Sequence, residues 1–239
     1  MNVLPSDPAA RAAVRQGVSV SVATGLYGIS FGALSVAAGV GLGPTMALSL
    51  LMFSGGSQFA LIGVIGAAGT PVAAIATAAL LGLRNTLYGA VVSPLLQVRG
   101  WRRLAAAHIT IDESTAVAVA QPDPAASRIG FWVTGVGVLV LWNVFVLLGA
   151  LAGDALGDPR AWGLDAAAAA AFLALVWPRL APRRAQLVAG LAVVATAALI
   201  PFVPPGIPVL AAAAVAIVVG LVAPTTPDAA VEPEKESVR

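Results

Sequence analysis

Arg84 is the residue whose setting demands the most explanation. It lies in the apolar stretch 70–97, thirteen residues beyond Pro71, so about 20 Å along a helix that rises 1.5 Å per residue. A hydrocarbon layer is about 30 Å thick, and a central arginine costs roughly 2.5–3.5 kcal/mol on insertion scales. Its guanidinium therefore needs a partner or a wet cavity, where it could hold an anion or balance a counter-charge. The plainer alternative is snorkelling to the near interface or a purely structural pair. Tyr88, four residues on, shares its helix face, whereas Asn85 is turned about 100° away.

Ser54-Gly55-Gly56-Ser57-Gln58 is a polar, glycine-paired interruption of the apolar run 44–67. At membrane depth, open backbone groups are tolerated only where they line a protein-enclosed cavity, so a broken helix points to a binding site. A half-helix starting near Ser57 would present N–H groups to an anion such as a carboxylate. The alternative is a tolerated kink, or close packing through Gly55 and Gly56.

The titratable groups cluster at His108, Asp112 and Glu113. Asp112 and Glu113 diverge by about 100° on a helix, which makes them a poor paired-carboxylate site and argues against hydrolase chemistry. His108 and Asp112, four apart, share a face and could form a proton-responsive pair; a solvated interfacial helix is the alternative. In the first span, Gly28-x-x-x-Gly32 permits close helix contact, and open carbonyls from Tyr27 to Phe31 could meet an amine. Asn143 reads as an interhelical hydrogen-bonder, and Trp132, Trp162 and Trp177 as interfacial anchors.

These residues must be held by membrane helices. Of 239 residues, 59% are hydrophobic and 10% charged, with a mean hydropathy of +0.93; soluble domains carry about 25% charged residues. The formal charge of +2 is spread over short loops and makes no nucleic-acid footprint. Absence of cysteine removes disulfides and thiolate metal sites, and one histidine cannot build a multi-histidine centre; no cofactor is implied. The only lysine, Lys235, lies in the tail, so no phosphate-binding Gly-x-x-x-x-Gly-Lys loop exists. Residues 1–16 do not read as a signal peptide.

The expected fold is an all-α integral membrane protein of about seven segments: 14–40, 44–67, 70–97, 128–152, 163–180, 184–203 and 207–223. Half-helices, broken or re-entrant, are expected around 54–58. Residues 1–223 form one transport domain and 224–239 a disordered cytoplasmic tail. Arg179, Arg183 and Arg184 mark an inside loop, and Asp154, Asp158 and Asp165, opposed by Arg160, an outside one. Placing Arg11, Arg15, Arg99, Arg102, Arg103 and Arg128 inside as well requires that 44–67 be re-entrant; otherwise 101–121 crosses and strands three arginines outside. A weak echo between 73–80 and 192–199 could link the halves, but alanine-rich helices match by composition alone, which makes it poor evidence for a repeat.

Four blocks, Leu26-Tyr27-Gly28-Ile29-Ser30-Phe31-Gly32, Ser49–Phe59, Leu83-Arg84-Asn85-Thr86-Leu87-Tyr88-Gly89 and Thr110-Ile111-Asp112-Glu113-Ser114, resemble in order and spacing those of the AzlC family of bacterial branched-chain amino acid permeases. Gly163-Leu164-Asp165 leading into Phe172–Leu175 extends the resemblance, which covers roughly 14–221. It implies export, in some members uptake, of valine, leucine, isoleucine and sometimes methionine, with a small AzlD-type membrane subunit as partner. The family's Asn-x-Arg-His is Gly82-Leu83-Arg84-Asn85 here, which keeps the arginine and loses the asparagine and histidine. Leu26 stands where a proline is common. On this reading Ser54, Gly55, Gly56, Ser57, Gln58, Arg84, Asn85, Tyr27 and Phe31 bind an amino acid. Phe53 and Phe59 add an apolar wall, and Asp112, Glu113 and His108 couple transport to an ion or proton gradient. The rival is a channel or scaffold subunit whose partner carries the transport.

Overall fold

The structure, a computed structural model, describes residues 7–156 and 176–222, with 161, 163, 166, 170 and 173 as isolated positions between them. Outside the described residues lie Asp158, Arg160, Trp162, Leu164, Asp165, Phe172, the side chain of Asp154 and the tail 224–239. Every regular element among the described residues is a helix. The α-helices are α1 (Pro8–Ala37), α2 (Leu42–Leu51), α3 (Gly55–Gly66), α4 (Pro71–Leu96), α5 (Trp101–His108), α6 (Asp112–Val119), α7 (Pro124–Leu156), α8 (Arg183–Leu199) and α9 (Ile207–Val222), with a short 3-10 helix at Trp177–Leu180.

Only α1, α4 and α7 are both long and apolar enough to cross a bilayer among the described residues. They match the expected segments 14–40, 70–97 and 128–152, while the expected 44–67 is two short helices that enter and leave by the same end. Thr45 of α2 bonds Ser35 of α1 at 2.7 Å, and the break at Met52–Ser54 reaches the level of Tyr27, whose hydroxyl lies near Gly55. From there α3 returns, with Phe59 beside Phe31 and Gly66 against Ala38 at the end of α1.

The segment 101–121 is a second re-entrant hairpin, entering from the opposite end. It does not run the length of α7: α5 is largely exposed, and α6 packs along α7. His108 reaches Phe53 at the first hairpin's tip. Then α6 descends along α7, from Ile109 beside Gly135 to Val117 beside Gly130, and Gln121 bonds Gln16 near the start of α1. The break has a local cause. Ile109, Thr110 and Ile111 are β-branched and poor in helices. The Thr110 hydroxyl donates to Ala106 O, and the Ser114 hydroxyl takes the carbonyls of Ile109 and Ile111.

Thus α1–α2–α3 and α4–α5–α6 are inverted copies of one plan: a full helix followed by a half-helix hairpin entering from the end where that helix finishes. The repeat lies here, and the alanine-rich echo between 73–80 and 192–199 has no part in it. Parallel helices α1 and α7 clamp the pair. A Cβ at Gly32 would collide with the Val146 carbonyl oxygen, and one at Gly149 with that of Ile29, so the expected Gly28/Gly32 packing role holds. Asn143 differs from expectation: its amide donates to Leu139 O in its own helix. Arg11, Arg15, Arg99, Arg102, Arg103 and Arg128 lie toward one end, where Arg128 bonds Leu95 O. Arg183 and Arg184 join them, because the far end of α8 turns at Gly206 against Ala73 at the opposite end.

Candidate functional site

The hairpin tips meet beside the middle of α4. There Thr24, Tyr27, Phe53, Ser54, Gly55, Gly56, Arg84, Ile111, Asp112, Glu113, Val138 and Trp142 enclose a cavity of about 20 Å³, room for about one water molecule. Two half-helices start at it. Ser54 precedes α3 with extended backbone and makes no side-chain cap, leaving first-turn N–H groups of α3 open. Asp112 and Glu113 open α6, where the helix dipole favours negative charge.

Arg84 Nη1 lies 2.9 Å from Asp112 Oδ2. Asp112 is 5% exposed and the Arg84 side chain 31%, so the pair is held inside protein on the carboxylate's side. The approach lacks hydrogen-bond alignment, and Arg84 Nε is buried without a hydrogen-bond partner among the described residues. Arg84 thus retains donor capacity for a second acceptor. Glu113 turns the other way, as adjacent residues on a helix must, and accepts from the Tyr27 hydroxyl at 3.4 Å. One guanidinium and two diverging carboxylates therefore share one enclosure, and among the described residues no group of three or more His, Asp or Glu side chains could hold a metal.

Several expected site residues sit elsewhere. Gln58 is fully buried and committed: its amide N donates to Leu48 O and Met52 O, each at 3.1 Å, and its carbonyl accepts from Trp142 Nε1 at 3.1 Å. It satisfies the Met52 carbonyl just past α2 and adds a second donor to Leu48 O, which Met52 N also bonds, and so holds the break without facing the cavity. Phe31 and Phe59 stand behind the cavity, packed on Trp142 and each other; of the expected aromatic wall, Phe53 alone lines it. The Ser57 hydroxyl turns to Ser54 at 3.2 Å.

Ser57, Asn85 and His108 line a separate groove of about 440 Å³ between the first hairpin, α4 and α5. The expected His108–Asp112 face is lost because the break at 109–111 ends one helix before the next begins. Trp142 is the residue that sequence reasoning missed. It sits in the apolar stretch 138–148, interrupted only by Asn143, where periodicity gives a buried indole no distinguishing mark, yet it packs edge-on against Tyr27 at 5.1 Å and anchors Gln58. Val138 was missed for the same reason, and Thr24 because one threonine among several small polar residues carries no mark of which faces a cavity.

A family model described as AzlC protein matches residues 19–156, which span both hairpins and every residue lining the central cavity. No curated protein and no solved structure matches the chain.

Proposed function

We propose that this chain, which belongs to the AzlC family, is a secondary transporter that exports valine, leucine, isoleucine and methionine across the bacterial inner membrane. The observation that supports this reading is the meeting of Arg84, Asp112 and Glu113 with the starts of α3 and α6 in one enclosure. An amino acid zwitterion has the matching charges. Its carboxylate takes the open N–H groups of Gly55 and Gly56 and the spare donors of Arg84; its ammonium takes Glu113 and, once Arg84 is shared, Asp112. Such redistribution of an internal ion pair keeps each charge compensated at membrane depth.

Two opposed hairpins give the site two approaches, one along each, as inverted repeats do in alternating access. The present cavity is too small for a branched amino acid, so this conformation is the closed one between the two. Glu113 and Asp112 couple the cycle to a proton or ion gradient. His108, across the break, lies outside that relay. The arginine-rich end is cytoplasmic, and a small AzlD-type membrane subunit completes the transporter.

Cells loaded with valine-containing dipeptides test this reading. Saturable, gradient-dependent valine release that requires both subunits is expected. Release unchanged on deletion rejects amino acid export, and release without saturation or gradient dependence favours a channel.

A further inference from the structure

The groove beside the central cavity holds a feature that the proposed cycle does not use. The two spaces share two lining residues, Phe53 and Ser54. The groove's other walls combine Leu61, Ile75 and Ala78 with the polar groups of Ser57, Asn85 and His108. Asn85 Oδ1 is buried there without a hydrogen-bond partner among the described residues, which is costly at membrane depth unless a ligand or partner answers it. At about 440 Å³ the groove has room for an amino acid; the central cavity does not.

Phe53 is the partition. It sits in the helix break between Met52 and Ser54, both non-helical in backbone, and its ring is buried at the edge the two spaces share. Its ring is stacked on His108, with centroids 5.8 Å apart and planes at 28°. His108 ends α5, and this one stack therefore joins the tips of the two hairpins.

We infer that the groove is a vestibule for a small zwitterion with an apolar side chain, and that Phe53, resting on His108, gates its passage to the central cavity. The apolar walls take the side chain, and Asn85, Ser57 and His108 take the polar end. The partner subunit closes the outer side. This inference rests on the transport reading, and the test separates the two.

The natural chain has no cysteine, so Ala79→Cys places a lone thiol in the groove wall, in native membranes with the partner subunit present. A charged methanethiosulfonate reagent should modify it, and valine should slow that modification at least fivefold. Leu87→Cys, exposed on α4 but outside the groove, should stay unmodified. Valine exchange with no modification or no protection at position 79 overturns the vestibule and leaves transport standing. No valine exchange by the unsubstituted chain removes both.

Phe53→Trp reads the gate: exchange should slow at least tenfold while the valine concentration giving half-protection changes less than twofold. Phe53→Ala should speed exchange at least threefold. Exchange unaltered in both variants overturns the gate.

Discussion

Arg84 Nη1 stands 2.9 Å from Asp112 Oδ2, so the middle of a full-length helix is tied to the first residue of the returning half-helix in the hairpin that follows it. The tie compensates two charges that would each be expensive alone at this depth, and it fastens the second inverted unit to itself, α4 to α6, at the place where a substrate would have to sit.

Arg84→Gln should therefore reduce both stability and transport, because Asp112 is left buried with a charge and no counter-charge. Arg84→Gln combined with Asp112→Asn removes both charges and should recover most of the lost melting temperature in detergent without recovering valine efflux. Thermal unfolding followed by size-exclusion chromatography, alongside efflux, checks both halves. Efflux restored in the double variant would show that the pair is structural only.

Gln58→Ala should act on stability and not on substrate recognition. It strands Trp142 Nε1 and the Met52 carbonyl, and each unsatisfied buried group costs about 1–3 kcal/mol. The expected result is a clear fall in melting temperature, with the valine concentration for half-maximal efflux of the surviving protein within about twofold of the natural chain. A tenfold rise in that concentration in stable protein would return Gln58 to the binding site.

How far these roles could be read beforehand follows from what each residue's neighbours reveal. Polar interruption of an apolar run marks Ser54–Gln58, and central depth marks Arg84; both signals survive in one dimension because the bilayer makes polarity costly. The direction of each side chain does not. Gln58 and Ser54 belong to the same polar patch, yet helix phase from Gly55 onward turns one toward α2 and the other toward the cavity. The second hairpin was hidden for a different reason. Its break consists of Ile109-Thr110-Ile111, which is as apolar as a span, and only Thr110 and Ser114 bonding to neighbouring carbonyls makes it a break. The arginine distribution called for 44–67 to be re-entrant with 101–121 not crossing, and a 101–121 hairpin that returns to its own end leaves the arginines on the side that reading gives them.

Glu113→Gln should separate binding from coupling. Amide and carboxylate fill nearly the same space and both accept from Tyr27, but the amide cannot carry a proton between sides. Valine counterflow should persist within about threefold, and accumulation driven by an imposed gradient should fall at least tenfold. Proteoliposomes measure both, and unchanged gradient-driven accumulation would remove Glu113 from coupling.

Gly32→Val should abolish folded protein, since even a Cβ at that position meets the Val146 carbonyl oxygen and the Ala150 nitrogen of α7, and backbone cannot yield as a flexible side chain can. Gly63→Ala, with open space around it, is the control and should be tolerated. Membrane yield and a monodisperse chromatographic peak report the difference.

Gly55 offers the most direct test of the site itself. An added Cβ there would lie 3.5 Å from Trp142 Cη2 and 3.7 Å from the Tyr27 hydroxyl, ordinary contacts that leave the fold intact while filling a cavity with room for about one water. Equilibrium binding of radiolabelled valine to the purified complex should be saturable in the natural chain and at least tenfold weaker in Gly55→Ala at unchanged melting temperature. Equal affinity in a folded Gly55→Ala protein would contradict binding where the two half-helices begin.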